Sequence, residues 1–292
     1  MSDFRLKVFQ SVAKNLSFTK ASQELFVSQP AITKHIQELE ATYQTRLFDR
    51  QGSKISLTES GRLLLEHCER ILEEYKRLEY EMHLLHNEYI GELKLGASTT
   101  IAQYVLPPLL GSFIGKFPQV NLSLLNGNSR EIEAALQEHR IDLGLVEGVF
   151  RLPNLKYTTF LEDELVAVVH SKSRLQLPEE ITPQDLPAIP LVLRERGSGT
   201  LDVIERSLQK HGVKLSSLHV LMYLGSTESI KLFLENSDCM GIVSIRSICK
   251  ELAAGTFRVV EIKDMPMLRD FCFVQLQGQE GGLSQAFMNY ML

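Results

Sequence analysis

Three stretches of the chain end in hydroxyls. "LKLGASTT" at 93–100 delivers Ser98, Thr99 and Thr100; "IPLVLRERGSGT" at 189–200 delivers Ser198, Gly199 and Thr200; "HVLMYLGST" at 219–227 delivers Ser226 and Thr227. Each apolar run predicts a strand, and the hydroxyls after it predict the start of a helix. Open α/β sheets take ligands beyond the carboxyl ends of their strands. Helix starts gathered there offer backbone N–H groups and a partial positive charge, which suits a small anion. A single Ser or Thr at such a place serves equally well as an ordinary N-cap; three together favour a pocket. Arg194 and Arg196 flank Glu195, and of the two Arg194 is preferred for closing on a carboxylate or oxyanion. Glu147, ending "DLGLVEG", would repel a plain anion if it pointed inward. It is therefore expected either to face away or to meet a ligand carrying a donor such as an ammonium group.

A second group of polar side chains lies in "SFTKASQELFVSQPAITKHIQELE", residues 17–40. Ser17 and Ser28 read as caps of two short helices separated by a tight turn, with Pro30 in the first turn of the second. Ala21 and Leu25 on one helix, and Ile32, Ile36 and Leu39 on the other, would pack on a preceding helix whose inward face is Phe4, Val8, Phe9 and Val12. That leaves Ser28, Gln29, Pro30, Thr33, Lys34 and Gln37 outward, side chains suited to base edges and phosphates in a major groove. Downstream, "RLFDRQGSKISLT" reads as two short strands around Gly52, a wing whose Arg50 and Lys54 would reach flanking phosphates.

The elements that carry these groups follow from periodicity. Leu64, Cys68, Ile71, Tyr75, Leu78, Met82, Leu85 and Tyr89 alternate spacings of four and three, the seam of a long helix in need of a partner. Two heads reading half-sites about one turn of DNA apart need such a helix to fix their separation. From residue 91 onward, strand-like and helical runs alternate in two successive sets, an α/β pattern in two lobes. Charge divides along the same line: residues 1–62 hold nine Lys/Arg against six Asp/Glu, the remainder 22 against 30. A basic head on an acidic body suits a head that meets a polyanion.

Other chemistries find little support. The four cysteines (Cys68, Cys239, Cys249, Cys272) form no CxxC pair and no His cluster has ligand spacing, so neither metal nor cofactor is expected. Ser198 and Ser226 lack a nucleophile's strained elbow, and His170, His211 and His219 stand in no readable relation to them, so no enzyme is expected. The N-terminus shows no cleavable apolar segment and no run of 18 apolar residues occurs, which points to the cytoplasm.

The run from Phe4 to Arg62, through "RLFDR" and "LTESG", resembles the winged helix-turn-helix of LysR-type transcriptional regulators. One departure is "ATYQTRLF" at 41–48, where the family has a Leu-Gly pair, so the turn before the wing is expected to be built differently. The resemblance implies an α+β multidomain chain: residues 1–58 as the DNA-binding head and 59–88 as a dimerising linker helix. Lobe I would be 89–161 with 267–292, and lobe II 162–266, as in a periplasmic binding protein, with crossings near Leu161 and Met267. It further implies double-stranded DNA and a small-molecule effector as partners, and a homodimer or homotetramer. "RExGSGT" and "LVEG" are similar to members linked to sulfur or cysteine metabolism, for which sulfite, sulfate or an O-acylated serine would be effectors. A plain solute-binding protein, the alternative reading, would leave the head unexplained.

Overall fold

The computed structural model describes residues 4–51, 54–84, 89–278 and 281–292, and divides into a unit up to Glu88 and one from Tyr89 onward. In the first unit, α1 (Phe4–Asn15), α2 (Phe18–Glu24) and α3 (Gln29–Tyr43) precede an antiparallel pair, β1 (Phe48–Gln51) and β2 (Lys54–Leu57), and then the long α4 (Glu59–Leu84). Ser17 and Ser28 cap α2 and α3 by accepting from Lys20 N and Ala31 N. Val8, Phe9, Val12, Ala21, Ile32, Ile36 and Leu39 are buried together with Leu47 and Phe48. Phe4 departs from the expected inward face: it is exposed, with its ring edge-on to His35, because it begins the helix beyond the reach of the core.

The turn before the wing uses Gln44 in the left-handed conformation, φ 49°, where glycine would be free of strain. Thr45 N donates to Glu40 O, and the Glu40 carboxylate accepts from Leu47 N at 2.8 Å, so one glutamate holds both sides of the corner. This corner falls within the stretch 41–48, where the Leu-Gly pair is missing. Gly52 lies outside the described residues.

Cys68, expected on the seam of α4, is instead fully buried in the head's core with Leu72 beside it, and its thiol donates to Leu6 O. Burial foremost, with Glu69 nearby, pushes that thiol up to about 12. Ile71, Leu78 and Met82 are exposed; Leu85 lies outside the described residues, and Tyr89 belongs to the second unit, where its ring packs on Phe117.

The second unit is built on one ten-stranded sheet. Along the chain come β3 (Gly91–Ser98), a π-helical turn at Ile101–Val105, α5 (Leu106–Lys116), β4 (Val120–Gly127), α6 (Ser129–Gln137) and β5 (Leu143–Glu147). Next come β6 (Leu155–His170), β7 (Glu180–Ile181), β8 (Leu191–Arg194), α7 (Gly199–Lys210), β9 (Val220–Leu224), α8 (Thr227–Glu235) and β10 (Met240–Ser244). The last elements are α9 (Cys249–Ala253), β11 (Phe257–Ile262), β12 (Met267–Leu276) and α10 (Gly282–Met291).

The strand order is β4-β3-β5-β12-β6-β10-β8-β9, with β11 also pairing with β6 and β7 pairing with β11. The parallel strands β4, β3 and β5 form one lobe, and β10, β8 and β9 the other; the two long antiparallel strands β6 and β12 run between them. The register of that pair shifts beside Phe271, which faces Leu161. In the second lobe, alternation of period two buries both faces: Leu165, Ala167, Val169, Leu191, Leu193, Met240 and Ile242 pack with α7, whereas Val168, Val192 and Val243 pack with α8. Near-continuous apolar strands are therefore the expected sequence for this lobe. In the first, Ile132, Ala135 and Leu136 of α6 cover β5 and β12, and rings of α5 and α10 interlock through Phe113, Phe287 and Tyr290.

Candidate effector cleft and DNA-reading face

Parallel strands point their carboxyl ends the same way within each lobe, and the three hydroxyl-rich ends lie at those of β3, β8 and β9. Ser98 is the last residue of β3, and its hydroxyl donates to the Glu147 carboxylate at the end of β5. Thr99 accepts from Arg194 Nη2 at 2.7 Å. Thr100 opens the π-helical turn without capping it: its hydroxyl is buried and has no partner.

The other two ends divide cap from pocket. Ser198 caps α7 by accepting from Thr200 N, and Ser226 caps α8 by accepting from Ser229 N. Thr200 accepts from Arg269 Nη1 at 2.8 Å, and Thr227 is buried in the first turn of α8. Gly199 sits against the Glu147 backbone so closely that a Cβ would lie 1.9 Å from Glu147 O. The start of α7 and the end of β5 thus meet across the lobes, and no other residue type permits that approach.

Arg194 is 1% exposed. Its Nε and Nη2 hold both oxygens of Glu195 at 2.9 and 3.1 Å, and Nη2 also reaches Gly225 O at 3.3 Å, drawing the ends of β3, β8 and β9 together. Nη1 is buried and unpartnered. Arg196, one strand step further on, faces solvent.

Glu147 is drawn into a network of charges between the lobes. It is 2% exposed and already engaged: Ser98 donates to one oxygen, and Arg269 Nη1 stands 3.5 Å from the other. Arg269 also lies 2.7 Å from Asp163, its cross-strand neighbour on β6, whose other oxygen accepts from Ser244. Sequence reasoning missed Arg269 and Asp163. The only signal was two charges within the apolar strands "LEDELVAVV" and "MLRDFCFVQL", and it becomes readable only once those strands are paired.

A further link across the lobes is Tyr104, from the π-helical turn, which donates to Glu228 on α8. Lys231 also reaches Glu228 at 2.9 Å and Glu251 at 2.6 Å, with its ammonium 5.4 Å from the Tyr104 ring. Burial, with the Glu228 bond adding to it, raises the Tyr104 phenol; burial works against the Glu228 carboxylate, yet the Tyr104 and Lys231 bonds leave it lowered.

On the head, Gln29, Pro30, Lys34 and Gln37 lie exposed along α3. The Ser28 hydroxyl is used as the cap and the Thr33 hydroxyl donates back to Gln29 O, so both are committed to the helix itself. Lys34 is 4.0 Å from Glu38 and remains exposed. Arg50 and Lys54 lie on β1 and β2 by their backbones; their side chains lie outside the described residues. Among the described residues no three His, Cys, Asp or Glu side chains gather to hold a metal, and no helix is long and apolar enough to cross a membrane.

Comparison with known proteins agrees with both halves. Residues 4–62 match the bacterial regulatory helix-turn-helix family of LysR type, and residues 86–292 match the LysR substrate-binding domain. The HTH-type transcriptional regulator CysL of Bacillus subtilis is 29% identical over 92% of this chain and 89% of its own. The HTH-type regulator YeiE of Escherichia coli, uncharacterized by its name, is 34% identical over 88% of this chain and 85% of its own. Among solved structures, the regulatory domain of Synechocystis CcmR in complex with 2-PG is 28% identical, with a TM-score of 0.62 over 69% of this chain and 95% of that domain. These relatives are regulators and not enzymes, and a head of this type rules out a plain solute-binding protein. The chain belongs to the LysR-type transcriptional regulators: it is a DNA-binding regulator with an effector-binding α/β domain.

Proposed function

We propose that the effector is a small anion seated where β3, β8 and β9 converge, held by Thr100 and Arg194 and bordered by Ser98, Thr99, Ser198, Gly199, Thr200, Ser226 and Thr227. The observation that carries this is a pair of buried, unpartnered donors, Thr100 Oγ1 and Arg194 Nη1, between two helix N-termini. A buried polar group without a partner costs about 1–3 kcal/mol, which a ligand's oxygens would recover. The 2-PG bound by the CcmR domain supports a small ligand in a domain of this kind. Residues 89–161 with 267–292 would act as one lobe and 162–266 as the other, with effector affinity differing between lobe arrangements and so biasing how two heads meet DNA. Two copies would pair through α4, in the cytoplasm where the DNA is.

Thermal melting of the full chain against small anions tests the site: one compound should raise Tm clearly, and Thr100→Ala and Thr200→Ala should each abolish the rise. A rise unchanged in both variants would remove the cleft from consideration. For the head, Gln29→Ala or Thr33→Ala should cost about 1–3 kcal/mol at particular base pairs. Lys54→Ala, at a phosphate contact, should weaken all sequences alike. Because the Thr33 hydroxyl is engaged within α3, Gln29 is the sharper test.

A further inference from the structure

The charges lining the cleft are already close to balance, and this limits what charge an incoming ligand can bring. Arg194 is paired through two of its nitrogens with Glu195. Arg269 is shared between Asp163 and Glu147, and Arg246 stands 3.6 Å from Asp163 at the rim. Lys231 is shared between Glu228 and Glu251 on the Tyr104 side. Four cations therefore face five carboxylates, a deficit of one charge, and the N-termini of α7 and α8 offset it by roughly half a unit each.

From this balance we infer that the cleft is selective for a singly charged small oxyanion, such as a simple monocarboxylate, over multiply charged ones such as sulfate or the phosphate dianion, and that Glu147 enforces the choice. The inference rests on the anion-site reading above. Of the buried donors without a hydrogen-bond partner, Arg269 Nη2 is ion-paired 2.7 Å from Asp163, which leaves Arg194 Nη1 and Thr100 Oγ1, a match for one carboxylate-like face of a ligand. Glu147 cannot swing away to relieve a second charge, because Ser98 and Arg269 hold its two oxygens and Gly199 packs against its backbone.

The test is calorimetric titration of the full-length protein at fixed ionic strength and slightly alkaline pH. The probes are formate, acetate, glycolate and hydrogencarbonate on one side, and sulfate and inorganic phosphate on the other. Wild type should bind at least one monoanion and bind both dianions at least about tenfold more weakly. Glu147→Gln, which keeps an acceptor for Ser98 and removes one negative charge, should tighten the dianions by about tenfold or more relative to the monoanions. Glu195→Gln should move the preference in the same direction by freeing the Arg194 charge, with Tm measured alongside because Arg194 is buried. Sulfate or phosphate binding to wild type as tightly as any monoanion, and lost in Thr100→Ala, would overturn the charge selection while leaving the anion site intact. Binding of no probe, or binding indifferent to Thr100→Ala, would overturn the site and the selection with it.

Discussion

Gly199 shows how one missing atom sets the geometry of the cleft. A Cβ there would lie 1.9 Å from Glu147 O and 2.5 Å from the carbonyl carbon, and a backbone carbonyl cannot rotate aside as a long side chain could. Gly199→Ala must therefore separate the start of α7 from the end of β5, prying the lobes apart where Ser98, Glu147, Arg269 and Thr200 are linked. The expected outcome is a loss of effector affinity of at least about tenfold, together with a destabilisation of about 1–3 kcal/mol. Titration and denaturant unfolding would measure the two separately, and unchanged affinity would mean that the lobes need not close at this point. Much of this was legible from residue type alone, because hydroxyls after apolar runs mark strand ends. Which hydroxyls are caps was not: Ser198 and Ser226 cap, whereas Thr100 does not, because the π-helical turn after it could not be read from "IAQYVLPP".

Helix α4 teaches a related lesson one level up. Its four-three spacing marks a continuous apolar seam, but spacing says only that something covers each position. The head covers Cys68 and Leu72, whereas Ile71, Leu78 and Met82 are 41%, 52% and 54% exposed, with Tyr75 between them half-buried. We propose that this apolar stripe, at the spacing of a coiled-coil seam, is the face for a second copy. Leu78→Glu combined with Met82→Glu places charges on that stripe without touching the head's core, so the head should fold normally. Sedimentation should show a smaller assembly. Affinity for a two-half-site operator should fall far more than affinity for a single half-site, because linkage of the two heads is what is lost. An undiminished assembly size would mean that the chains pair elsewhere.

Across the whole effector domain, the alternation of strands and helices announced an α/β architecture. What sequence could not show is which charges the two crossing strands bring together, since Asp163 and Arg269 are 106 residues apart and meet only through strand pairing. The same holds for a second set of acids across the lobes. Glu133 on α6 accepts from the Tyr157 hydroxyl at 2.6 Å, with Arg151 and Arg130 nearby. Asp202 on α7 lies 4.0 Å from Arg130, with Glu205 beside it. Burial foremost raises both carboxyls above their ordinary range, and the Asp202 charge adds to the rise at Glu133. An acid whose folded value exceeds its unfolded one binds more protons when folded, so it contributes stability that is complete below the ordinary carboxylate range near pH 4. That contribution is lost as pH rises through the raised folded values. Tm of the wild type should therefore fall between mildly acidic and neutral pH more steeply than that of Glu133→Gln, which keeps an acceptor for Tyr157 but no longer titrates. Parallel Tm profiles for the two proteins would show that Glu133 ionises at no cost and that the acids facing each other from α6 and α7 are independent of fold stability.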